Sequence, residues 1–386
     1  MKILVFSVNY PTAEQPSLGI FVYKLMQEII KQGNEVVIIA PRKITFKNFL
    51  KKRPFKKEDL SIVYNPLYLS LSNKKIFTFN TAKIGLFFRN LAAKKVYKKI
   101  IKSFDYDIIY AHFMWSGFMV LNTLEYINKP MFIVAGETPF GHDFFLYKED
   151  DIKALINNKM NFIAVSTPLK NELLKYGADE KNILVSHNST DKNLFYKRDK
   201  FEMRNKYNIP LDCKIIITVG RLSDPNKGVG ELLKAIKDLD NVKGIFLGDK
   251  ISNEYSYLSV FNKYVPNNLV PELLACADLF VLLTSNEGSS NAIVEAMSCG
   301  LPMILSAIPE VIEQCDPSFA LFVDRKNINE IKESITSIIF DDSKLDNMSR
   351  NALAYSEKYS IDSRVKSILN FIDKKIELNN NKTFNN

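Results

Sequence analysis

The chain has 386 residues, a length that corresponds to two or three domains of ordinary size. Its hydrophobic fraction of 46% and charged fraction of 25% exclude a disordered chain, a collagen-like repeat and a small disulfide scaffold. Lysine and arginine number 52 against 43 aspartates and glutamates, a net charge of +9, so an acidic partner is expected. A phosphate-bearing ligand, an anionic membrane surface and nucleic acid all fit that charge.

The cysteines and the amino terminus indicate a cellular compartment. The four cysteines are far apart and form no CxxC pair, so a reducing compartment is predicted, with neither zinc nor disulfides. The opening MKILVFSVNYP lacks the long apolar stretch and the cleavage site of a signal peptide. No window approaches 18 uncharged apolar residues. A cytoplasmic protein, or one on the inner face of a membrane, is therefore expected.

The first part of the chain predicts strands that alternate with helices. Apolar runs typical of strands buried on both faces occur at residues 3–6, 36–40, 108–110, 131–134 and 161–165. A helix is predicted from about Ile20 to Gln32, and Gly33 is its C-terminal stop. This alternation indicates a parallel, doubly wound α/β sheet.

A second unit of the same kind begins at residue 214. Its predicted strands are 214–220, 244–247, 279–283 and 303–305, and its helices start near Glu231, Pro271, Asn291 and Pro309. A polar stretch with little apolar periodicity precedes this unit and is predicted to connect the two domains. The predicted division is a first domain (1–190), a linker (191–212), a second domain (213–352), a C-terminal helix that crosses back to the first domain (353–378) and a disordered tail (379–386).

The segment EGSSNAIVEAM, at residues 287–297, is the richest in possible chemistry. It leaves a predicted strand, crosses a loop of small residues and enters a helix. Ligands of open α/β sheets bind outside the carboxyl ends of strands, where Gly288, Ser289 and Ser290 can offer backbone N–H groups to a phosphate. Glu287 and Glu295 either face one ligand at different depths or only favour the positive start of the helix. The segment by itself favours neither role.

A second segment, VGRLSDPNKG at residues 219–228, follows the first strand of the second unit. Arg221 and Lys227 flank its tight loop. A fork-shaped guanidinium and an ammonium would neutralise a departing diphosphate without a metal ion. A solvated pair of loop cations is the alternative, and the position of both residues at the carboxyl end of a strand makes it less favoured.

These two segments together resemble the retaining glycosyltransferases of family 4, which have the GT-B fold. GRLSDPNKG is followed about sixty residues later by EGSSNAIVEAMSCGLP, whose Glu287 and Glu295 match the family's most specific pattern, Glu-x7-Glu. NSTD at 188–191 and PELL at 271–274 are further matches, and the resemblance covers nearly the whole chain. It implies two Rossmann-like, doubly wound domains that face each other across a cleft, with the acceptor on the first and the donor on the second.

The resemblance also implies roles for individual residues of the second domain. Arg221 and Lys227 would hold the donor's diphosphate, and the segment from Gly288 to Asn291 would add backbone N–H groups. Glu287 would contact the transferred sugar, and Glu295 would contact the ribose.

Further positions follow from the same resemblance. Gly19 would belong to a first-domain loop that closes over the donor, where a side chain would block the phosphates. The family's His-Gly near the reacting centre is replaced by AGE at residues 135–137, so Glu137 or His142 is predicted to take the place of the histidine. Tyr264 and Val265 are the predicted contacts of the base.

His112 and an Asp-x-Asp sequence need separate interpretation. His112 is either a core residue among aromatics, the commoner role, or a lining residue of the acceptor pocket, and its place after a strand keeps it among the catalytic candidates. Asp105 and Asp107 have the spacing of the metal-binding pair of other glycosyltransferases, but they precede a predicted strand instead of following one. We therefore expect helix termination there, and neither a metal nor another cofactor. No Gly-x-Gly-x-x-Gly follows the first strand, which argues against a dinucleotide oxidoreductase.

Two basic stretches suggest a partner. Residues 42–57 interleave eight lysines and arginines with aromatic side chains, and KKVYKK occupies residues 94–99. Both suit an anionic leaflet that carries a lipid-linked acceptor, and a solvated loop and helix face are the alternative. No nucleic-acid fold signature accompanies the charge, so nucleic acid is not a predicted partner.

The sequence thus predicts a retaining, metal-independent glycosyltransferase. It would move a sugar from a nucleoside diphosphate donor, of uridine or guanosine, to a glycan or lipid-linked acceptor in bacterial surface polysaccharide synthesis. Two alternatives remain at this point. One is a sugar-nucleotide epimerase of the same fold, and the other is a non-catalytic scaffold that binds sugar nucleotide or membrane.

Overall fold

The chain forms two compact units in a computed structural model that describes residues 1–44, 60–70, 75–76, 79–137, 147, 149–156 and 160–383. Unit 1 consists of Met1–Ser186 together with Val365–Asn386, and unit 2 of His187–Arg364. Each unit has its own buried apolar core and a main sheet whose strands are all parallel. The two predicted doubly wound α/β domains are thereby confirmed.

Unit 1 is built on a parallel sheet that the described residues place in strand order β11-β10-β9-β8-β1-β2-β4, with β3–β5 and β6–β7 as small additional pairs. In chain order its strands are β1 (Lys2–Ser7), β2 (Glu35–Ile39), β3 (Arg42–Lys43), β4 (Ile62–Tyr64), β5 (Leu67–Tyr68), β6 (Lys75–Ile76), β7 (Phe79–Asn80), β8 (Ile108–His112), β9 (Met131–Ala135), β10 (Asn161–Ala164) and β11 (Ile183–Val185). In the middle of the sheet, Val5 of β1 lies opposite Ile38 of β2 and Tyr110 of β8.

The helices of unit 1 cover this sheet with apolar side chains. They are α1 (Ile20–Lys31), α2 (Ala82–Ile100), α3 (Met114–Thr123), α4 (Glu149–Leu155) and α5 (Thr167–Lys175). Val22, Leu25, Met26 and Ile29 of α1 recur at helical spacing and are buried, which explains why this segment forms an amphipathic helix against the sheet.

Unit 2 repeats the architecture with strand order β14-β13-β12-β15-β16-β17. Its strands are β12 (Lys214–Gly220), β13 (Val242–Gly248), β14 (Ser259–Lys263), β15 (Leu279–Leu282), β16 (Met303–Ser306) and β17 (Ala320–Val323). Its helices are α6 (Lys200–Tyr207), α7 (Val229–Ile236), α8 (Val270–Ala275), α9 (Asn291–Ser298), α10 (Pro309–Gln314), α11 (Ile328–Ile339) and α12 (Asp342–Ser356), and α13 (Ile361–Thr383) begins in it.

The strand orders locate a switch point in each sheet, where the chain changes the direction in which it adds strands. In unit 1 this point lies between β1 and β8, and in unit 2 between β12 and β15. The loops that follow such a pair of strands diverge and leave a crevice at the carboxyl edge, which is where ligands of doubly wound sheets bind. The switch points therefore select four loops as candidate binding loops.

The segments predicted as connections have more structure than their composition suggests. Residues 191–212 contain α6 and supply Phe195, Met203 and Ile209 to the core of unit 2. The side chain of Arg204 in α6 is buried against Asp278, 2.6 Å away. This polar segment is held by an ion pair and by widely spaced apolar residues, which a search for apolar periodicity does not detect.

The end of the chain is one long helix. From Val365 onward α13 belongs to unit 1, where Val365, Ile368 and Ile372 are buried in the core. It continues to Thr383, into the segment predicted as a tail, because neither glycine nor proline interrupts residues 361–383. Among the described residues, no helix has both the length and the apolar character that crossing a bilayer requires.

Candidate functional site

The switch point of unit 2 brings together two residues that the sequence placed sixty positions apart. Lys227 ends a 3-10 turn in the loop after β12, and Glu287 lies in the loop after β15. The Lys227 Nζ is 2.5 Å from Glu287 Oε1, and the two side chains are only 18% and 15% exposed. A partly buried ammonium beside a carboxylate is thus fixed at the edge where a ligand of this fold would bind.

A glycine allows the two loops to approach so closely. Gly228 has a φ of 68°, and a Cβ at this position would lie 2.1 Å from the carbonyl oxygen of Leu283. Next to it, Ser285 N donates to Asn226 O at 2.8 Å, and Ser285 Oγ donates to Asn226 Oδ1 at 3.0 Å. These contacts determine the positions of Lys227 and Glu287 before any ligand arrives.

The second loop ends at the N-terminus of α9. Ser290 is the N-cap residue, and its Oγ accepts a hydrogen bond from Ile293 N at 3.5 Å. Gly288, Ser289 and Ser290 are buried, and Asn291 is the first helical residue. Free N–H groups and the positive end of the helix dipole make such a start suitable for an anion.

A buried glutamine that the sequence analysis did not identify orders this loop. Gln314, at the end of α10, is 0% exposed. Its Oε1 accepts from Ser290 N at 2.9 Å, and its Nε2 donates to Ser289 Oγ and to Ser290 O, both at 3.1 Å. The N–H of Ser290 therefore already has a protein partner, which leaves the N–H groups of Gly288, Ser289 and Asn291 as the candidates for a phosphate. No motif marks Gln314, because its role depends on a contact across twenty-four residues.

Asn188, in the NSTD segment, holds the same loop from another side. Its backbone N donates to Ser289 Oγ at 3.0 Å, and its Nδ2 donates to Ser289 O at 2.8 Å. The NH1 group of Arg364 donates to Asn188 Oδ1 at 3.0 Å. The NSTD segment, known from the sequence only as a match to a family, thus supports the candidate phosphate loop directly.

The remaining candidates of unit 2 lie around this centre. Arg221 is 79% exposed, and its nearest carboxylate, that of Asp224, is 3.4 Å away, so the guanidinium is not part of the Lys227–Glu287 pair. Glu295 is half-buried within α9, and its Oε1 accepts from Asn267 Nδ2 at 3.3 Å.

Tyr264 and Val265, the predicted contacts of the base, follow β14 at the carboxyl edge of the same sheet. Tyr264 is 57% exposed and Val265 is 9% exposed. β14 is the edge strand, separated from β12 by β13. Tyr264 is thus largely exposed at this edge, whereas Val265 belongs to the core.

The switch point of unit 1 is aromatic. His112 ends β8 and is 3% exposed, with ring centroids 4.8 Å from Phe113 and 5.7 Å from Phe21. This environment is that of a core histidine packed among aromatic rings. Phe113 has a φ of 77°, an unusual conformation for a residue with a side chain, and such strain concentrates at functional sites.

Gly19 lies close to the same place. It has a φ of 68°, it precedes α1, and a Cβ here would lie 2.5 Å from the carbonyl oxygen of Asn9, just after β1. Packing within unit 1 therefore already requires glycine at this position, whatever ligand approaches it.

Glu137 is a carboxyl group of unit 1 whose pKa is raised to near neutral pH. It follows β9, and it accepts hydrogen bonds from Trp115 N at 3.3 Å and from Gly136 N at 3.2 Å. Desolvation outweighs these N–H donors and raises the pKa of the Glu137 carboxyl from 4.5 to about 7. This group can therefore change its protonation near neutral pH. His142, the other predicted replacement for the family's histidine, lies outside the described residues.

Two family models match most of the chain. The model described as Glycosyltransferase Family 4 matches residues 18–194, and that described as Glycosyl transferases group 1 matches residues 199–354. Together with the two doubly wound units, they define an enzyme that transfers glycosyl groups. The chain belongs to the family 4, group 1 glycosyltransferases, and the resemblance seen in its sequence is confirmed.

Curated relatives include a glycosyltransferase and a glucosaminyl synthase. TuaC of Bacillus subtilis, a glycosyltransferase assigned to teichuronic acid biosynthesis, is 27% identical over an alignment of 358 positions, which covers 87% of this chain and 88% of TuaC. N-acetyl-alpha-D-glucosaminyl L-malate synthase of Bacillus anthracis is 29% identical over an alignment of 170 positions, which covers 40% of this chain and 44% of the synthase.

Solved structures show the same fold at low sequence identity. Sucrose-phosphate synthase of Thermosynechococcus elongatus aligns with a TM-score of 0.81 and 16% identity, over 98% of this chain and 100% of the synthase. HepE of Anabaena, solved with UDP and glucose, aligns with a TM-score of 0.72 and 18% identity, over 97% of this chain and 99% of HepE. The expected GT-B fold is thereby confirmed.

Proposed function

We propose that the protein is a retaining, metal-independent glycosyltransferase. It would transfer a sugar from a nucleoside diphosphate sugar, bound by unit 2, to a hydroxyl of a glycan or lipid-linked acceptor, bound by unit 1. The observation that carries the proposal is the Lys227–Glu287 pair at the unit 2 switch point, next to the N-terminus of α9. A cation, a carboxylate and free N–H groups at one edge match the phosphate and sugar of such a donor.

The chemistry follows from where charge develops. When the bond between the sugar C1 and the diphosphate oxygen breaks, negative charge grows on the phosphate, and the Lys227 ammonium with the N–H groups before α9 would stabilise it. These fixed positive groups would stabilise the charge on the departing phosphate in place of a divalent metal ion. The acceptor hydroxyl would then bond to C1 from the same face and give its proton to the departing phosphate oxygen, so that the anomeric configuration is retained.

Glu287 would have two partners in turn. In the structure it neutralises Lys227, and a bound donor would take over that ammonium through its diphosphate. The carboxylate would then be free to accept hydrogen bonds from the hydroxyls of the transferred sugar. Exposed Arg221 would join the diphosphate only after a change of rotamer, because its present partner is Asp224.

The proposed donor and pathway draw on the relatives. UDP is the first nucleotide to test, because HepE and a mutant of the Staphylococcus aureus protein TarM, two neighbours in fold, were solved with UDP. Surface polysaccharide synthesis is proposed because TuaC is assigned to teichuronic acid biosynthesis. Such a role would place the protein in the cytoplasm or at the inner face of the membrane.

Membrane attachment through the basic residues 42–57 is part of this proposal. Arg42 and Lys43 form β3, and the Arg42 guanidinium is 3.0 Å from Glu14 Oε2, so one cation of the stretch is already neutralised. Residues 45–57 lie outside the described part of the chain.

Glu287→Gln tests the proposal. We expect turnover of a UDP-sugar, measured by mass spectrometry over a panel of sugar nucleotides, to fall by about a hundredfold or more while folding is retained. Glu272→Gln is the matched control, because Glu272 also pairs with a lysine in unit 2, Lys206, but lies in α8, which precedes β15, and not in the loop that follows β15.

Each other result points to a different function. An unchanged rate in Glu287→Gln would contradict the assignment. Tight donor binding by the wild type without hydrolysis or transfer to any acceptor would favour the scaffold, and donor conversion without an acceptor product would favour the epimerase.

A further inference from the structure

Helix α2 of unit 1 presents apolar side chains to solvent. Phe87 is 64% exposed, Leu91 53% and Phe88 36%, all within the first half of the helix. Gly85, Arg89, Ala93 and Ile100 on its opposite side are buried. The outward face of α2 is therefore made of Ile84, Phe87, Phe88, Leu91, Lys94, Lys95, Lys98 and Lys99. Contiguous exposed apolar groups of this kind mark an interaction surface.

The second half of the same face is cationic. Lys94 pairs with Glu125 at 3.2 Å, whereas no carboxylate of the described residues pairs with Lys95, Lys98 or Lys99. Lysines near the end of a helix also favour its negative dipole end, but that effect does not account for Phe88 and Phe87, which lie seven and eight residues before Lys95. Cations and apolar groups together fit a surface that is both anionic and apolar.

An open cavity continues this face at the C-terminal end of α2. Its volume is about 380 Å³, and Lys94, Lys98, Ile101, Tyr126 and Lys129 are among its lining residues. Tyr126 is 75% exposed and Ile101 is 45% exposed at its mouth. The cavity lies where the chain enters β8 and β9, so it is at the sheet edge opposite the unit 1 switch point. Glu125 and Asp105 also line the cavity and pair with Lys94 and Lys129, so Lys98 is the cation that an anionic headgroup would meet there, away from the reacting sugar.

We propose that the outward face of α2 docks on an anionic phospholipid surface. Phe87, Phe88 and Leu91 enter the boundary between headgroups and acyl chains, while Lys95, Lys98 and Lys99 pair with lipid phosphates. The apolar and cationic halves follow each other along the helix axis, so the N-terminal half of α2 lies deeper than the C-terminal half. This inference rests on the proposed function in one respect: a lipid-linked acceptor lies in a membrane, so an enzyme that uses it must bind there.

Vesicle flotation with the full chain tests this surface. We expect the wild type to float with vesicles of equal parts phosphatidylglycerol and phosphatidylcholine, and to stay in solution with phosphatidylcholine alone. The triple variant Phe87→Ser, Phe88→Ser, Leu91→Ser and the triple variant Lys95→Gln, Lys98→Gln, Lys99→Gln should each lower partitioning by about tenfold or more. The matched control is Phe201→Ser with Phe340→Ser, which removes two exposed aromatics, 62% and 49% exposed, from unit 2.

The outcomes separate this inference from the proposed function. Flotation that both triple variants retain, or a wild type that never floats, would overturn the docking surface. A triple variant that only dissociates a dimer in sedimentation would identify a second copy of the chain as the occupant of this face and would also overturn the inference. Turnover with a water-soluble acceptor is measured in parallel. If the wild type and all variants lack this turnover while flotation is as expected, the proposed function is contradicted and the docking surface is not.

Discussion

The switch points of the two units share a topology and differ in chemistry. That of unit 2 holds a close ion pair, Lys227 with Glu287, beside a polar loop. That of unit 1 holds packed aromatic rings around His112, and its titratable carboxyl, Glu137, follows the neighbouring strand. The same sheet topology thus carries a fixed ion pair in unit 2, and an apolar surface with one carboxyl that titrates near neutral pH in unit 1. Topology decides where a ligand binds, and the loops decide which ligand it is.

The loops at the two switch points also differ in how they are stabilised. In unit 2 the loops are joined by the Asn226–Ser285 hydrogen bonds and by those of Gln314, so the polar groups are positioned in advance. In unit 1 the backbone of Phe113 is strained, with a φ of 77°. We expect changes in unit 2 to affect donor chemistry and changes in unit 1 to affect acceptor use. The following variants test that difference, from the largest expected effect to the smallest.

Lys227→Met should have the largest effect on the reaction. Loss of the ammonium removes the charge that stabilises the departing diphosphate, and we expect kcat to fall by about a thousandfold. Steady-state kinetics with the active sugar nucleotide measure the change. Lys214→Met is the control, because Lys214 also pairs with a carboxylate of unit 2, Asp342, at an exposed site. Equal activity of the two variants would show that unit 2 does not hold the diphosphate through Lys227.

Gly228→Ala should have the largest effect on stability. The new Cβ meets the Leu283 carbonyl and a left-handed backbone, so the free energy of unfolding should fall by about 3 kcal/mol. Gly230→Ala is a close control, because nothing lies within 4 Å of its new Cβ. It lies in α7 and should be neutral or stabilising by up to about 1 kcal/mol. Denaturant unfolding compares the two, and similar losses would show that the approach of the loops is not what requires Gly228.

Gln314→Met should raise the KM for the donor by about tenfold and lower kcat less. The loop that contains Ser289 and Ser290, the serine loop, loses three hydrogen bonds from a buried amide, which should also cost about 1–3 kcal/mol of stability. Asn351→Met, which removes one exposed hydrogen bond to Ser318, is the control for a general loss of stability. A donor KM that stays at the wild-type value would contradict the positioning role of Gln314.

Glu137→Gln should change the pH profile and leave donor binding unchanged. In the wild type the carboxyl loses its proton at about pH 7, and we expect kcat/KM for the acceptor to rise through that pH. The variant should have a flat profile there. Glu172→Gln, on the surface of the same unit, is the control. An inflection near pH 7 that persists in Glu137→Gln would assign the titration to another group.

The same substitution makes a prediction for stability. The folded protein binds the Glu137 proton more tightly than the unfolded chain, because the pKa is raised from 4.5 to about 7. Glu137 therefore lowers the free energy of unfolding progressively as the pH rises from about 4.5 to about 7. Relative to the wild type, Glu137→Gln should gain stability across that window and keep the gain at higher pH. Thermal unfolding at several pH values measures it.

Much of the fold and part of the site were predictable from the sequence. Apolar runs at 3–6, 215–217 and 279–283 are buried on both faces, and local composition alone marks such strands. The segments of Lys227 and Glu287 were recognisable because small residues follow a strand and precede a helix. Edge strand β14 was not predicted, since its sequence SVFNK lacks a continuous apolar run. Edge strand β17 was not predicted either, although residues 319–323 are a continuous apolar run, FALFV.

The sequence by itself determined the alternation of strands and helices, the family and the two loops that carry charge, because these depend on residues close together in the chain. Only the tertiary structure decided that Lys227 meets Glu287, that Gln314 orders the serine loop, and that desolvation moves the pKa of Glu137 towards 7. Each of these depends on the distance between atoms that are far apart in sequence. Burial and packing set that distance, and no local pattern of residues encodes it.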